Sequence, residues 1–168
     1  MLNETLQSGN SQVLAPKQLF LCYTRRDRRL PTRFRELFEP LLMMGKSFAG
    51  SLWQDVEMGP GEDWQAKIDA ALRECAAGVI LVSPWLLANE SVKRFELPAL
   101  RAKALPLALC PVDPRLTDFG LLEGLHTFRY ENPLRFQGVK AFSQCRGEQR
   151  REFVDAFYAQ VVSRMEQL

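Results

Sequence analysis

The sequence predicts an α/β fold, a mainly parallel β-sheet covered by helices on both faces. Two short apolar runs without alternation, Gln18–Tyr23 and Gly78–Val82, read as strands buried on both sides. Between such runs lie stretches whose apolar residues recur every three or four positions, so strands and helices alternate, as right-handed crossovers in a parallel sheet require. The chain has 168 residues, 46% of them apolar and 25% charged, which is the composition of one globular domain with enough material for a core.

The elements follow in order. Gln18–Tyr23 is the first strand, ending where Thr24 and a cluster of charges begin. Leu30, Phe34, Leu37, Phe38 and Leu41 fall on one helical stripe behind Pro31, which suits a first turn, and Gly45 is the expected stop. Phe48–Trp53 is a weaker strand, followed by the turn-rich Glu57-Met-Gly-Pro-Gly61 and a second stripe of Trp64, Ile68, Ala71, Leu72 and Cys75. Gly78–Val82, bounded by Ser83-Pro84, is the clearest strand. Residues 85–103 read as an interrupted helix, because Pro98 disfavours a helical Leu97. Leu105–Val112 is a further buried run whose two prolines, Pro106 and Pro111, place it near a sheet edge. Thr127–Tyr130 is expected as a short fifth strand, and Phe153, Phe157, Val161 and Met165 mark a final helix. Residues 1–16 read as a flexible tail and 17–168 as the domain.

Composition excludes several classes of function. Lys and Arg number 22 against 20 Asp and Glu, so the net charge gives no general drive toward nucleic acid or an anionic membrane. His126 is the single histidine, which removes sites that need two imidazoles; a structural place near the last strand is expected for it. The four cysteines form no CxxC pair and sit mostly among apolar neighbours, so they are expected as reduced, buried thiols in a cytoplasmic protein. No apolar run approaches the roughly 18 residues of a spanning helix, and the N-terminal stretch has neither the charge nor the apolar core of a signal peptide. Paired acids that would hold Mg2+ in a phosphoacceptor domain are absent from the end of the first strand, which continues Thr24-Arg25-Arg26.

In sheets of this kind ligands gather at the carboxyl ends of the strands. The loops there carry, in order, Phe20-Leu-Cys-Tyr-Thr-Arg-Arg-Asp27, Trp53-Gln-Asp55 with Gly59-Pro-Gly-Glu-Asp-Trp64, Val79-Ile-Leu-Val-Ser-Pro-Trp-Leu-Leu87, and Phe95-Glu-Leu-Pro98. Their order and spacing resemble a bacterial Toll/interleukin-receptor (TIR) domain from about Gln18 through Asp113, and more weakly to the last helix. The resemblance implies a flavodoxin-like, doubly wound sheet of five parallel strands with five helices. It also implies an NAD+ glycohydrolase that cleaves the nicotinamide–ribose bond to give ADP-ribose or a cyclic isomer. NAD+ would then be a substrate, with no cofactor and no metal, and a glutamate matching Glu96 the catalytic residue. Self-association through the loop 54–63, a sensor domain or protein as partner, and a place as effector of a bacterial defence or signalling system are further implications. The same fold also serves as a non-catalytic TIR–TIR scaffold or adaptor module.

The residues allow this chemistry. As nicotinamide leaves, positive charge develops on the ribose, and a fixed carboxylate at Glu96 would stabilise it more in the transition state than in the ground state. Arg25 and Arg26, at the exit of the first strand, are expected to meet a pyrophosphate through charge-assisted bonds, unlike Arg33 and Arg35 farther along the helix. Tyr23, Trp53 and Trp85 are the aromatic candidates for substrate contact, and Ser83 is expected as a polar donor at the pocket. One departure stands out: family enzymes often carry an aromatic residue one turn before the glutamate, where this chain has Val92. Gly59-Pro-Gly61 is not expected to cradle phosphate, because Glu62 and Asp63 would occupy the first turn of the next helix and repel it.

Overall fold

The computed structural model describes residues 15–53 and 59–168. Its centre is a parallel sheet of four strands in the order β2-β1-β3-β4, with β1 at Lys17–Cys22, β2 at Gly50–Trp53, β3 at Ala77–Val82 and β4 at Ala104–Ala108. The register is regular: Phe20 pairs with Trp53 on one side and Gly78 on the other, and Ile80 pairs with Pro106. Every residue of β3 is buried, as its unbroken apolar run requires.

Successive strand residues point to opposite faces, and each face has its own core. Leu19, Leu21, Val79, Leu81 and Leu107 pack on the side of α1 (Leu30–Met43) and α5 (Glu148–Met165), where Phe34, Phe38, Phe153 and Phe157 are buried. Phe34 stacks on Phe38 with centroids 5.2 Å apart and meets Phe157 edge-on at 5.9 Å. Phe20, Cys22, Ile80 and Val82 face the other way, toward α2 (Trp64–Glu74) and the broken helical segment from α3 (Pro84–Leu87) to α4 (Leu97–Leu100). Each buried Leu, Ile or Phe contributes about 1.5–3 kcal/mol, so both helical layers are held chiefly by these stripes. Gly78 permits a close approach of the helical layer to the sheet: a Cβ there would lie 2.6 Å from the Leu100 side chain.

The segment after β3 is interrupted, though differently from the expectation. Leu97 is helical, with φ −61° and ψ −40°, and the accommodation lies one turn earlier: Val92–Glu96 form a π turn in which the Leu97 N–H reaches back to the Val92 carbonyl. A proline ring clashes with the carbonyl four residues before it, here that of Arg94, and widening the turn makes room for it. Pro40 lies inside α1 at an exposed position, and the helix continues through it to Met43, two residues before the expected stop at Gly45.

Strand limits differ at several ends. β1 begins at Lys17 and stops at Cys22, leaving Tyr23 in the loop, and β2 starts at Gly50 rather than Phe48. β4 is the last strand of the sheet, consistent with its proline. Where a fifth strand is expected over Thr127–Tyr130, Phe128 makes a single parallel bridge to Leu107, exchanging backbone bonds with Pro106 and Ala108. Tyr130 turns away to pair antiparallel with Lys140 in a two-residue ribbon, β5 (Tyr130–Glu131) with β6 (Val139–Lys140). Of the expected tail, only Ala15 and Pro16 belong to the described residues. Cys22, Cys75 and Cys145 are buried and Cys110 half-buried, all as free thiols. No helix among the described residues is long and apolar enough to cross a membrane.

Candidate functional site

At the carboxyl ends of β1 and β2 a cavity of about 280 Å³ opens between these strands, α2 and the π turn. The loop after β1 contributes Tyr23, Thr24 and Arg25; β2 ends at Trp53; α2 supplies Trp64 and Ile68; and Asn89, Ser91, Val92 and Glu96 close the far side. Trp53 is held in place because one face of its indole lies on Phe20, with centroids 5.0 Å apart and planes within 11°. Trp64 opens α2 directly after Asp63, whose carboxylate caps the helix by accepting from the Ala66 N–H at 3.1 Å. Its ring is 46% exposed, high for an indole at the start of an apolar stripe, because it faces the cavity mouth and not the core.

Glu96 is half-buried at the end of the π turn. Its carboxylate lies beside the thiol of Cys22, the fully buried last residue of β1. Burial pushes the Cys22 thiol well above its usual pKa, and the Glu96 charge and hydrogen bond push it further in the same direction. Val92, 2% exposed, and Leu97 pack with Cys22 in one cluster, so the residues on either side of the glutamate are anchored to the sheet.

The expected site residues divide into two groups. Glu96, Tyr23, Arg25 and Trp53 come together on the cavity. Ser83, Trp85 and Arg26 do not line it. Ser83 is completely buried; its Oγ donates to Asp27 Oδ2 at 2.6 Å and accepts the Leu86 N–H at 3.0 Å, capping α3. Burial raises the Asp27 carboxyl above its usual range, opposed by the bond from Ser83. Trp85 is 50% exposed, with the Arg26 guanidinium 4.8 Å above its ring.

In the loop after β2, residues 54–58 lie outside the described residues. Asp63 precedes α2 as its cap and Glu62 lies before it, so neither occupies the first turn as expected. Glu62 accepts from the Gly59 N–H at 3.0 Å and pairs with Lys67; the Lys67 bond, then the Gly59 N–H, hold its carboxyl below the usual range. His126 is exposed at the edge of an apolar cleft between β4 and α5. Among the described residues no three His, Cys, Asp or Glu side chains gather as a metal site would need.

Sequence reasoning did not assign Cys22, Trp64, Asn89 or Ser91 to the site. Trp64 reads as the first core residue of its helix, and only its position directly after a capping aspartate signals that it sits at the open end. The assembled cavity offers an aromatic wall, one guanidinium and one oriented carboxylate, a set that can hold a planar heterocycle, a phosphate and a sugar side by side.

The family model described as the TIR domain matches residues 19–141. No curated protein matches the chain. The matched segment contains all four strands of the sheet save the first two residues of β1, and every residue of the cavity. The chain belongs to the TIR domain family.

Proposed function

We propose that this TIR domain cleaves the nicotinamide–ribose bond of NAD+, with Glu96 as the catalytic residue. The observation that carries the reading is the meeting of Glu96 with Trp53, Trp64 and Arg25 around one cavity at the carboxyl ends of the strands. In the reaction the N-glycosidic bond breaks and its electron pair goes to the nicotinamide nitrogen. Positive charge develops on the ribose, which the Glu96 carboxylate stabilises, and water adds to the anomeric carbon with loss of a proton to give ADP-ribose. Attack by a group of the ADP-ribose portion in place of water gives the cyclic isomer. The indoles offer faces for a base, and Arg25 offers charge-assisted bonds to the pyrophosphate. NAD+ enters as substrate, and no metal takes part in the step.

Glu96→Gln keeps the shape and deletes the charge. Loss of one preorganised electrostatic contact costs about 10²–10³ in rate, so the variant should retain its circular dichroism and lose nicotinamide release. A folded variant within a few-fold of the parent would remove Glu96 from the mechanism.

A second reading, a non-catalytic module that recruits other TIR domains, is favoured by one feature: the small, buried Val92 where the family's enzymes often place an aromatic ring. TIR domains commonly self-associate, and the region of the loop after β2 is the surface proposed for it here. Under this reading the parent assembles yet releases no nicotinamide.

A further inference from the structure

Ser83 and Asp27 are 56 residues apart in the chain and form a buried bond that no step of the proposed reaction uses. Ser83 follows β3 as the cap of α3, and Asp27 closes the turn that follows β1. Both strands are central in the sheet, so the bond ties together the two loops that leave its middle. Asp27 is 8% exposed and Ser83 fully buried, whereas Arg25, Arg26, Arg28 and Arg29 around them are exposed. The loop is thus a run of four cations fixed at one buried carboxylate.

The backbone next to that carboxylate is strained. Arg28 has φ 60° and ψ −116°, the only positive φ at a non-glycine position among the described residues. A side-chain-bearing residue adopts this conformation only where its surroundings over-determine it. Its N–H bonds to the Arg25 carbonyl at 3.1 Å, and Thr24 Oγ1 accepts from the Arg26 N–H at 3.3 Å. These bonds close the turn on itself but do not attach it to the sheet. The Asp27–Ser83 bond attaches it from within the core, and on the surface Arg26 lies over the Trp85 ring.

We propose that the Asp27–Ser83 hydrogen bond is the pin that holds this strained loop closed, and that both are positioning residues keeping Arg25 on the cavity wall for an anionic ligand. The loop stores strain at Arg28, and the pin sets whether the strained form is populated. This use of the loop rests on the dinucleotide reading of the cavity; the pin itself does not. A neutral amide at position 27 still accepts from Ser83, so the device depends on an acceptor and not on a charge.

The test uses limited trypsin digestion, scoring cuts after Arg25 and Arg26 against cuts after Arg150 and Arg151 in α5. Asp27→Ala leaves Ser83 free to cap α3, which makes it cleaner than Ser83→Ala. Losing one hydrogen bond of ordinary net strength opens the loop about tenfold more often, and cleavage tracks the open population when opening is fast. Asp27→Ala should therefore be cut about tenfold faster in the loop and no faster in α5, while Asp27→Asn stays near the parent. Adding Arg28→Gly to Asp27→Ala relieves the strained φ and should slow loop cleavage about fivefold. Binding of ADP-ribose, measured by calorimetry, should weaken about tenfold in Asp27→Ala, recover with Arg28→Gly, and remain parental in Asp27→Asn. Loop cleavage in Asp27→Ala at the parental rate, or accelerated equally in α5, overturns the pin. Accelerated loop cleavage with unchanged ADP-ribose affinity overturns the positioning role. A parent that binds no ADP-ribose and releases no nicotinamide overturns the dinucleotide reading and the ligand role with it, while the cleavage rates still decide the pin.

Discussion

The Cys22 thiol lies against the Glu96 carboxylate, bringing the last residue of the first strand to the end of the π turn. Burial, and then the adjacent Glu96 charge, push the thiol pKa up and disfavour the thiolate.

Cys22→Ser retains a donor and should keep nicotinamide release within about twofold, whereas Cys22→Ala should lower kcat about threefold to tenfold at nearly constant KM, the scale of one weak hydrogen bond. Steady-state kinetics on both variants decides this. Equal rates for Ala and Ser would show that the thiol does not orient Glu96.

Arg25 and Arg26 are adjacent in sequence but differ in place: Arg25 lines the cavity, and Arg26 lies over Trp85 outside it. Arg25→Ala should weaken ADP-ribose binding about tenfold, as loss of a charge-assisted bond would, and leave nicotinamide binding unchanged. Arg26→Ala should change either affinity by less than about threefold, since exposed cation–π contacts are worth about 0.5–1 kcal/mol. Paired titrations with the two ligands check it, and equal losses for the two variants would count against the assignment.

Asp27 makes stability depend on pH in the direction opposite to an ordinary ion-paired aspartate. Burial raises its folded pKa above the usual 3.8, so the folded protein holds this proton more tightly than the unfolded chain does. The contribution of the protonated carboxyl is full below 3.8 and is lost as pH rises through the folded value. Melting temperatures of the parent and Asp27→Asn, compared from about pH 3 to about pH 7, should therefore diverge in favour of the asparagine variant as pH increases. A gap that widens in favour of the parent would contradict the burial argument.

If activity needs assembly through the segment before α2, specific activity must rise with protein concentration and saturate when assembly does. Glu62→Lys replaces the Lys67 pair with a repulsion and should reduce assembly and turnover together. Asp63→Asn keeps the cap on α2 and separates loss of charge from loss of the helix end. A dilution series followed by light scattering measures both, and flat activity per molecule in the monomer would exclude the dependence.

Much of the sheet was legible because its signal is local. The run Gly78–Val82 is apolar at every position, and the observed strand extends it by Ala77 alone. Phe34 and Phe38 announced their helix by spacing, and both are completely buried. The fifth strand was not legible: Phe128 has the residue type for a strand, but Tyr130 is drawn to Lys140 and to the Glu152 carboxylate, which its hydroxyl reaches at 2.7 Å. Ser83 shows the same limit at the site. It follows β3 as expected, yet its hydroxyl is held by the Leu86 N–H three residues on and by Asp27, a partner that no window around residue 83 contains.

The π turn alters the ruler with which motifs on this helix are measured. Counting four residues back from Glu96 to find its neighbour one turn below assumes α-helical pitch, and gives Val92. A π turn takes one residue more, so the position beneath Glu96 is shared with Ser91, which lines the same cavity. An aromatic side chain introduced at Ser91 would therefore meet the cavity from a site that an α-helical alignment leaves unscored. A one-residue deletion between Val92 and Phe95 would keep the carboxylate in nearly the same angular phase but close the turn to α-helical pitch, and the Pro98 ring would then meet the carbonyl four residues before it. The length of this segment is thus as much a part of the motif as the glutamate it carries.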